Sequence, residues 1–171
     1  PFQDRDFKVT IEMALYVNKA EAVRRQAEEN LRESEERFRL LFNSSSDAMI
    51  VHRFTDKQPG QIVEVNETMC RRYGYSRDDL LHMRPQDIDA PEGLAVVIHD
   101  VLHQLVAEGR ATWEGVHVTK NGRKFPVELT NVVFEYGGEQ MILSAARDIT
   151  ERKRAEEIMI RGGDRLKTLL N

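Results

Sequence analysis

Cysteine is nearly absent: Cys70 is the sole one in 171 residues, which excludes an intrachain disulfide framework and a four-cysteine metal site and fits a reducing, cytoplasmic setting. A basic surplus is missing too. Against 25 Lys and Arg stand 29 Asp and Glu, a net charge of -4, so nucleic acid is not an expected partner. No apolar run approaches the ~18 residues that cross a bilayer, and no basic patch precedes an apolar signal core, so no membrane partner is expected either. The sequence lacks a Gly-rich phosphate loop, a nucleophile elbow and a histidine in the H-E-x-N setting of a kinase phosphoacceptor. This fragment is therefore not expected to be an enzyme. It opens at Pro1 without an initiator methionine and stops inside a helical pattern, so a longer parent protein is expected.

What is present is a composition of 40% hydrophobic and 32% charged residues, the balance of one globular domain with appendages. Residues 7–42 contain neither Gly nor Pro and are rich in Ala, Glu, Arg and Leu, which lose little side-chain entropy in a helix. One long helix, or two nearly continuous ones, is expected. Val17, Arg24, Leu31 and Phe38 share one heptad position, and Ala20, Ala27, Ser34 and Leu41 share the other. This is the seam of a coiled coil that would join two copies as a homodimer, weakened at Arg24 and Ser34. The alternative is that the stripe packs against the chain's own sheet.

After Asp47 the pattern becomes extended. Residues 48–54 are apolar and β-branched, 56–61 carry turn chemistry and 62–66 alternate with a period of two, a hairpin. Asn66 is placed to cap the short helix that follows, Gly74 to end it and Ser76 to cap the next. Residues 93–109 put Leu94, Val97, Ile98, Val101, Leu102, Leu105 and Val106 on one helical face, and Gly109 terminates it. Three further strands turn at Asn121-Gly122 and Gly137-Gly138. In the longest, Phe125, Val127 and Leu129 face one way and Val132, Phe134 and Tyr136 the other, so both sheet faces are expected to be covered. One cover would be the helices between the second and third strands, the other the N-terminal helix or a second subunit.

Three segments in fixed order, VEVNETMCRRYGYSRDDL (63–80), TKNGRKFPVELT (119–130) and SAARDITERKRAEE (144–157), resemble a PAS sensory domain over residues 37–153. The resemblance implies an α+β fold: a five-stranded antiparallel sheet with short helices on one face, flanked by a long N-terminal helix and a C-terminal helix. It also implies a sensory or relay role in a multidomain signalling protein such as a histidine kinase. PFQDRDFKVTIEMALYVNKAE (1–21) is similar to the last loop and helix of a response-regulator receiver domain. The expected division is a receiver-like tail (1–18), a coiled-coil linker (19–38), the PAS domain (39–150) and an exit helix (151–171), with receiver and output domains as neighbours in cis. Arg147, Asp148, Ile149 and Thr150 would carry the signal outward, Asp148 pairing with a basic group such as Arg147 or Arg53. Thr150 is placed to cap a helix starting at Glu151, and Gly162-Gly163 is expected to weaken that helix, which either ends there or runs on to 171.

A small-molecule pocket would draw on Met49, Val51, His99, His103, Trp113, His117, Leu129, Asn131 and Met141, with Trp113, His117 and Asn131 orienting a ligand in an apolar cavity. A packed core is the plainer reading of the apolar members. His99 and His103 have the i, i+4 spacing by which two imidazoles share a metal, and some PAS domains hold haem through a histidine on the corresponding helix. No Glu follows His99 as in HExxH, and no third ligand is evident, so two solvated or capped histidines, and no metal, are expected. Some photoactive relatives attach a chromophore through cysteine, but the asparagine-cysteine-arginine flavin motif is lacking and Cys70 reads as a small buried apolar residue. The expected state is cofactor-free, with a haem- or flavin-binding redox sensor and a ligand-free dimerisation spacer as alternatives. Asp78, Asp79, Asp87 and Asp89 sit where helix and turn capping account for them.

Overall fold

The structure is a computed structural model that describes the backbone of residues 2–90 and 94–169 and the side chains of residues 7–90 and 100–161. The chain divides into two units, Pro1–Ser44 and Ser45–Asn171. The first is a single helix, α1 (Phe2–Ser44), uninterrupted because nothing in it breaks the i to i−4 ladder. Its heptad stripe is open: Leu31 is 62% exposed and Phe38 50%, and Val17, Ala20, Ala27 and Leu41 are exposed as well.

The second unit runs β1 (Ala48–Thr55), β2 (Gln58–Val65), α2 (Glu67–Tyr73), α3 (Arg77–Leu81), a 3-10 turn (Pro85–Ile88), α4 (Leu94–Glu108), β3 (Arg110–Val118), β4 (Lys124–Tyr136), β5 (Glu139–Asp148) and α5 (Thr150–Leu169). The five strands form one antiparallel sheet in the order β2-β1-β5-β4-β3, the architecture expected from the sequence. Alternation places Ile50, Phe125, Val127, Leu129 and Ala146 on one face, where they pack with Met69, Tyr73 and Leu80 of α2 and α3. A second cluster joins Phe54, Ala111 and Ile142 to Val101 and Leu105 of α4, and Trp113 touches both clusters.

Local chemistry sets the joints. Asn66 is fully buried, and its Oδ1 accepts from the backbone N–H of Met69 (2.9 Å) and of Met49 (3.0 Å) while its Nδ2 donates to the Asp47 carbonyl (3.0 Å). One amide thus caps α2 and pins the start of β1. Gly74 closes α2 in the left-handed region at φ 78°, and Ser76 and Asp79 form a reciprocal capping box on α3.

One boundary is corrected. The first hairpin turns on Asp56 and Lys57 alone, both at positive φ (53° and 59°), so Gln58, Pro59 and Gly60 belong to β2; the proline is tolerated because β2 is an edge strand. Of the two readings of the exit helix the longer one holds: α5 continues through Gly162-Gly163 to Leu169, since glycine costs only about 1 kcal/mol each and no proline intervenes. On the outward face of β4, Val132, Phe134 and Tyr136 are exposed within the single chain, Tyr136 by 75%. Among the described residues no helix is long and apolar enough to cross a membrane.

Candidate functional site

A cavity of about 60 Å³ lies between the inner sheet face, the Pro85–Ile88 turn and α4. Its sheet wall is made by alternate residues: Ile50 and His52 of β1, Ile142 and Ser144 of β5, Leu129 and Asn131 of β4, Trp113 and His117 of β3. Val101, Leu102 and Leu105 of α4 form the opposite wall, with Gln86, Ile88 and Asp89 at one side.

Most polar groups on this wall have protein partners. His52 is 3% exposed; its Nδ1–H donates to the Arg53 carbonyl and its Nε2 accepts from the Ser144 hydroxyl, both at 3.1 Å. Burial lowers its pKa to about 4, so the imidazole is uncharged at neutral pH. Tyr73, also buried, has its phenol pushed well above the ordinary range by burial. Its O–H donates to His117 Nδ1, and His117 Nε2–H donates to Asp89 Oδ1 at 3.1 Å. Two atoms differ: Trp113 Nε1 and Gln86 Oε1 are buried without a hydrogen-bond partner.

Of the residues singled out from sequence, the structure brings Trp113, His117, Leu129 and Asn131 together around the cavity. Met49, Val51 and Met141 do not line it; each alternates with a lining residue (Ile50, His52, Ile142) and so faces the other side of the sheet. His103 is exposed on α4 and absent from the wall, because its neighbours Val101, Leu102 and Leu105 take the inward stripe. The His99 side chain lies outside the described residues. Sequence reasoning missed His52 and Ser144, which strand alternation alone would have turned inward, and Gln86 and Asp89, which sit in a non-periodic turn. Asp89 was read as a capping carboxylate, but its Oδ1 holds His117 instead.

Haem and flavin do not fit this site. A volume of about 60 Å³ is far below the ~300 Å³ at which drug-sized pockets begin. Cys70 is half-buried on α2 against the core, with burial raising its thiol pKa, the opposite of an activated thiolate. Among the described residues no cluster of three His, Cys, Asp or Glu side chains could hold a metal ion.

The exit helix is tied to the sheet at two places. At its start, Asp148 Oδ1 accepts from the Thr150 N–H (2.9 Å) and hydroxyl (2.6 Å), while the Ile149 carbonyl accepts from the Lys153 N–H (2.9 Å). The capping carboxylate is thus Asp148, and Thr150 is already helical, a correction of one to two residues. Partial burial pushes Asp148 up, but the Thr150 bonds and nearby Arg72 and Arg123 outweigh it and hold its pKa below the usual carboxylate range. The expected pairing of Asp148 with Arg147 or Arg53 is corrected: Arg147 pairs with Asp47 (3.0 Å) and Arg53 with Glu139 (3.2 Å), while Asp148 is held by Thr150. Arg72 of α2 donates to the carbonyls of Ser46 (2.7 Å) and Ala146 (3.0 Å), joining the segment just before β1 to the last strand.

The second tie is electrostatic. Glu114 and Glu128 stand directly opposite each other on the outward positions of β3 and β4, a repulsive pair by itself. Arg152 of α5 reaches both, at 2.6 Å and 3.5 Å, and Lys153 reaches Glu114 at 2.6 Å. Arg147 of β5 is the cross-strand neighbour of Glu128 on its other side, and the exit helix adds positive charge at Glu114.

A PAS domain family model matches residues 46–151. A methyl sulfide methyltransferase-associated sensor of Methanosarcina acetivorans is 35% identical over 147 residues, covering 85% of this chain and 14% of that protein. The chain therefore spans a small part of that relative's length. The PAS domain of an HTR-like protein from Haloarcula marismortui superposes with a TM-score of 0.60 at 28% identity, covering 73% of this chain and 99% of that one. A PAS domain from a two-component sensor histidine kinase gives 0.56 at 27% identity, covering 68% and 98%. With the sheet and its inner cavity both within the matched segment, the chain belongs to the PAS domain family.

Proposed function

We propose that this chain is the sensory or relay part of a cytoplasmic signalling protein, in which a small ligand in the cavity biases the exit helix and, through it, an output domain such as a histidine kinase. The observation that carries this reading is the placement of Trp113 and Glu114: adjacent in β3, one on the cavity wall and the other holding α5. A shift of the β3 backbone caused by an occupant moves the anchor of the exit helix. The reading is supported by the similarity to a PAS domain from a sensor histidine kinase. The chain binds and transmits; the chemistry belongs to the output domain.

The open stripe of α1, Val17, Ala20, Ala27, Leu31, Phe38 and Leu41, is the seam through which two copies pair in this proposal. The similarity of residues 1–21 to the end of a receiver domain supports, as part of this proposal, a receiver upstream in the same parent protein. Sedimentation equilibrium tests the seam: a dimer that Leu31→Glu converts to a monomer supports it, and a wild-type monomer contradicts it.

The function itself is tested by Val101→Phe, which fills the cavity from α4 without touching α5. Amide hydrogen exchange at Thr150 to Glu156 should change relative to wild type. Unchanged exchange there, with altered exchange around the cavity, would refute the coupling.

A further inference from the structure

Asn131 on the cavity wall is both open and unpaired. It is 7% exposed, its amide has no hydrogen-bond partner among the described residues, and both amide atoms keep accessible surface. Its neighbours on this face of the sheet are Leu129 and Val133 along β4, Ala111 on β3 and Ser144 on β5. Leu129, Ala111 and Ser144 are buried and Val133 packs against the α4 cluster, so the amide opens away from the sheet, into the cavity that Asn131 lines. An amide so enclosed is costly to leave unpaired, which points to an occupant that pairs with it.

Ser144 offers the second contact. Its hydroxyl hydrogen is spent on His52, which leaves Oγ as an acceptor. As the direct cross-strand partner of Asn131 it stands with the two Cβ atoms about 4.5–5.5 Å apart, a span that one hydroxyl group bridges. The rest of the wall is hydrocarbon or already engaged. Ile50, Val101, Leu105, Leu129 and Ile142 are apolar, Asp89 is held by His117, and no Lys or Arg is among the described lining residues. An anion would lack a counter-charge there, and a second polar group on the occupant would be desolvated against hydrocarbon.

We propose that the cavity takes a small neutral alcohol, whose hydroxyl accepts from Asn131 Nδ2–H and donates to Ser144 Oγ while its hydrocarbon part packs on Val101, Leu105 and Ile142. This rests on the reading of the cavity as the sensory site and names its ligand class. The cavity volume of about 60 Å³ is well below the ~150 Å³ that admits benzene, which limits the occupant to on the order of four or five non-hydrogen atoms.

The probes are propan-2-ol and two molecules of the same branched shape and similar size, acetate, which is charged, and urea, which is polar all round. In the 15N-labelled 171-residue protein, propan-2-ol should shift the side-chain NH2 resonances of Asn131 along a saturating curve. Acetate and urea should leave them in place over the same concentrations. Trp113 lines the same cavity and is the only tryptophan, so its indole resonance reports binding in variants that lack the amide. Read there, Asn131→Leu should bind propan-2-ol about tenfold more weakly, the difference of roughly one hydrogen bond to a buried group. A response to acetate or urea equal to that of propan-2-ol overturns the proposal, as does an unchanged affinity in Asn131→Leu. So does the absence of a saturable response to any probe in the wild type, which would leave water as the partner of the amide. The Val101→Phe exchange experiment reads the coupling to α5 independently, so a failed ligand class and a failed coupling give different results.

Discussion

Trp113 and Glu114 are consecutive residues that face opposite sides of the sheet, the indole on the cavity wall and the carboxylate 2.6 Å from the Lys153 ammonium of the exit helix. A strand is stiff along its length and alternates its side chains, so the two residues cannot move independently. This places the sensing surface and the helix anchor one peptide bond apart, without a flexible segment between them.

Reversing the charge at the anchor should release the helix. Glu114→Lys would set a cation against Arg152 and Lys153 in place of the present ion pairs. Amide exchange over Thr150 to Glu156 should rise severalfold while the strands keep their protection; unchanged protection of α5 would show that the Asp148 cap alone holds it. Acid should do the same more gently. The Lys153 hydrogen bond, with Arg152 beside it, holds the Glu114 pKa below its ordinary 4.5, so this anchoring is complete above that value and is lost as pH falls through the lower folded pKa.

Gly115→Ala tests how the indole is seated. The added methyl would meet the Trp113 ring at 2.6 Å, so the ring must rotate or the strand must bend, at about 1–3 kcal/mol. The single tryptophan makes the displacement visible as a shift in fluorescence emission together with a lower unfolding midpoint. An unchanged spectrum at wild-type stability would mean that the indole does not lie over Gly115.

His52 should dominate the acid sensitivity of the core. The unfolded chain binds its proton below about 6.5 and the folded chain only near 4, so stability from this residue is full above 6.5 and is lost as pH falls between the two values. Between pH 7 and 5 the loss is on the order of 2 kcal/mol. Denaturant titrations of His52→Leu should show a flatter pH dependence over this window, with a uniform cost of about 1 kcal/mol for the Ser144 hydroxyl left behind. An identical pH slope in wild type and variant would place the titrating group elsewhere.

Local signals were readable residue by residue. Asn66 caps α2 as its position between an alternating segment and a helical one implies, and Asn121-Gly122 makes its hairpin, because capping and turn chemistry act over a few residues. The extent of α5 was not readable, since Gly162-Gly163 lowers helix propensity without forbidding a helix. Half of the cavity wall was readable in principle: Trp113, Leu129 and Asn131 follow strand alternation, as do His52 and Ser144, which were passed over. Gln86 and Asp89 were not, because a turn without periodicity gives no direction to its side chains. The link from Glu114 and Glu128 to Arg152 joins residues far apart in the chain, and only the folded sheet shows that the two glutamates stand opposite each other.

The coupling between cavity and exit helix is tested most directly by comparing the backbone amide resonances of Glu114, Arg152 and Lys153 between the wild type and Val101→Phe, whose ring fills the cavity. They should shift together with the Trp113 indole N–H. An indole that shifts while Arg152 and Lys153 remain in place would contradict the account.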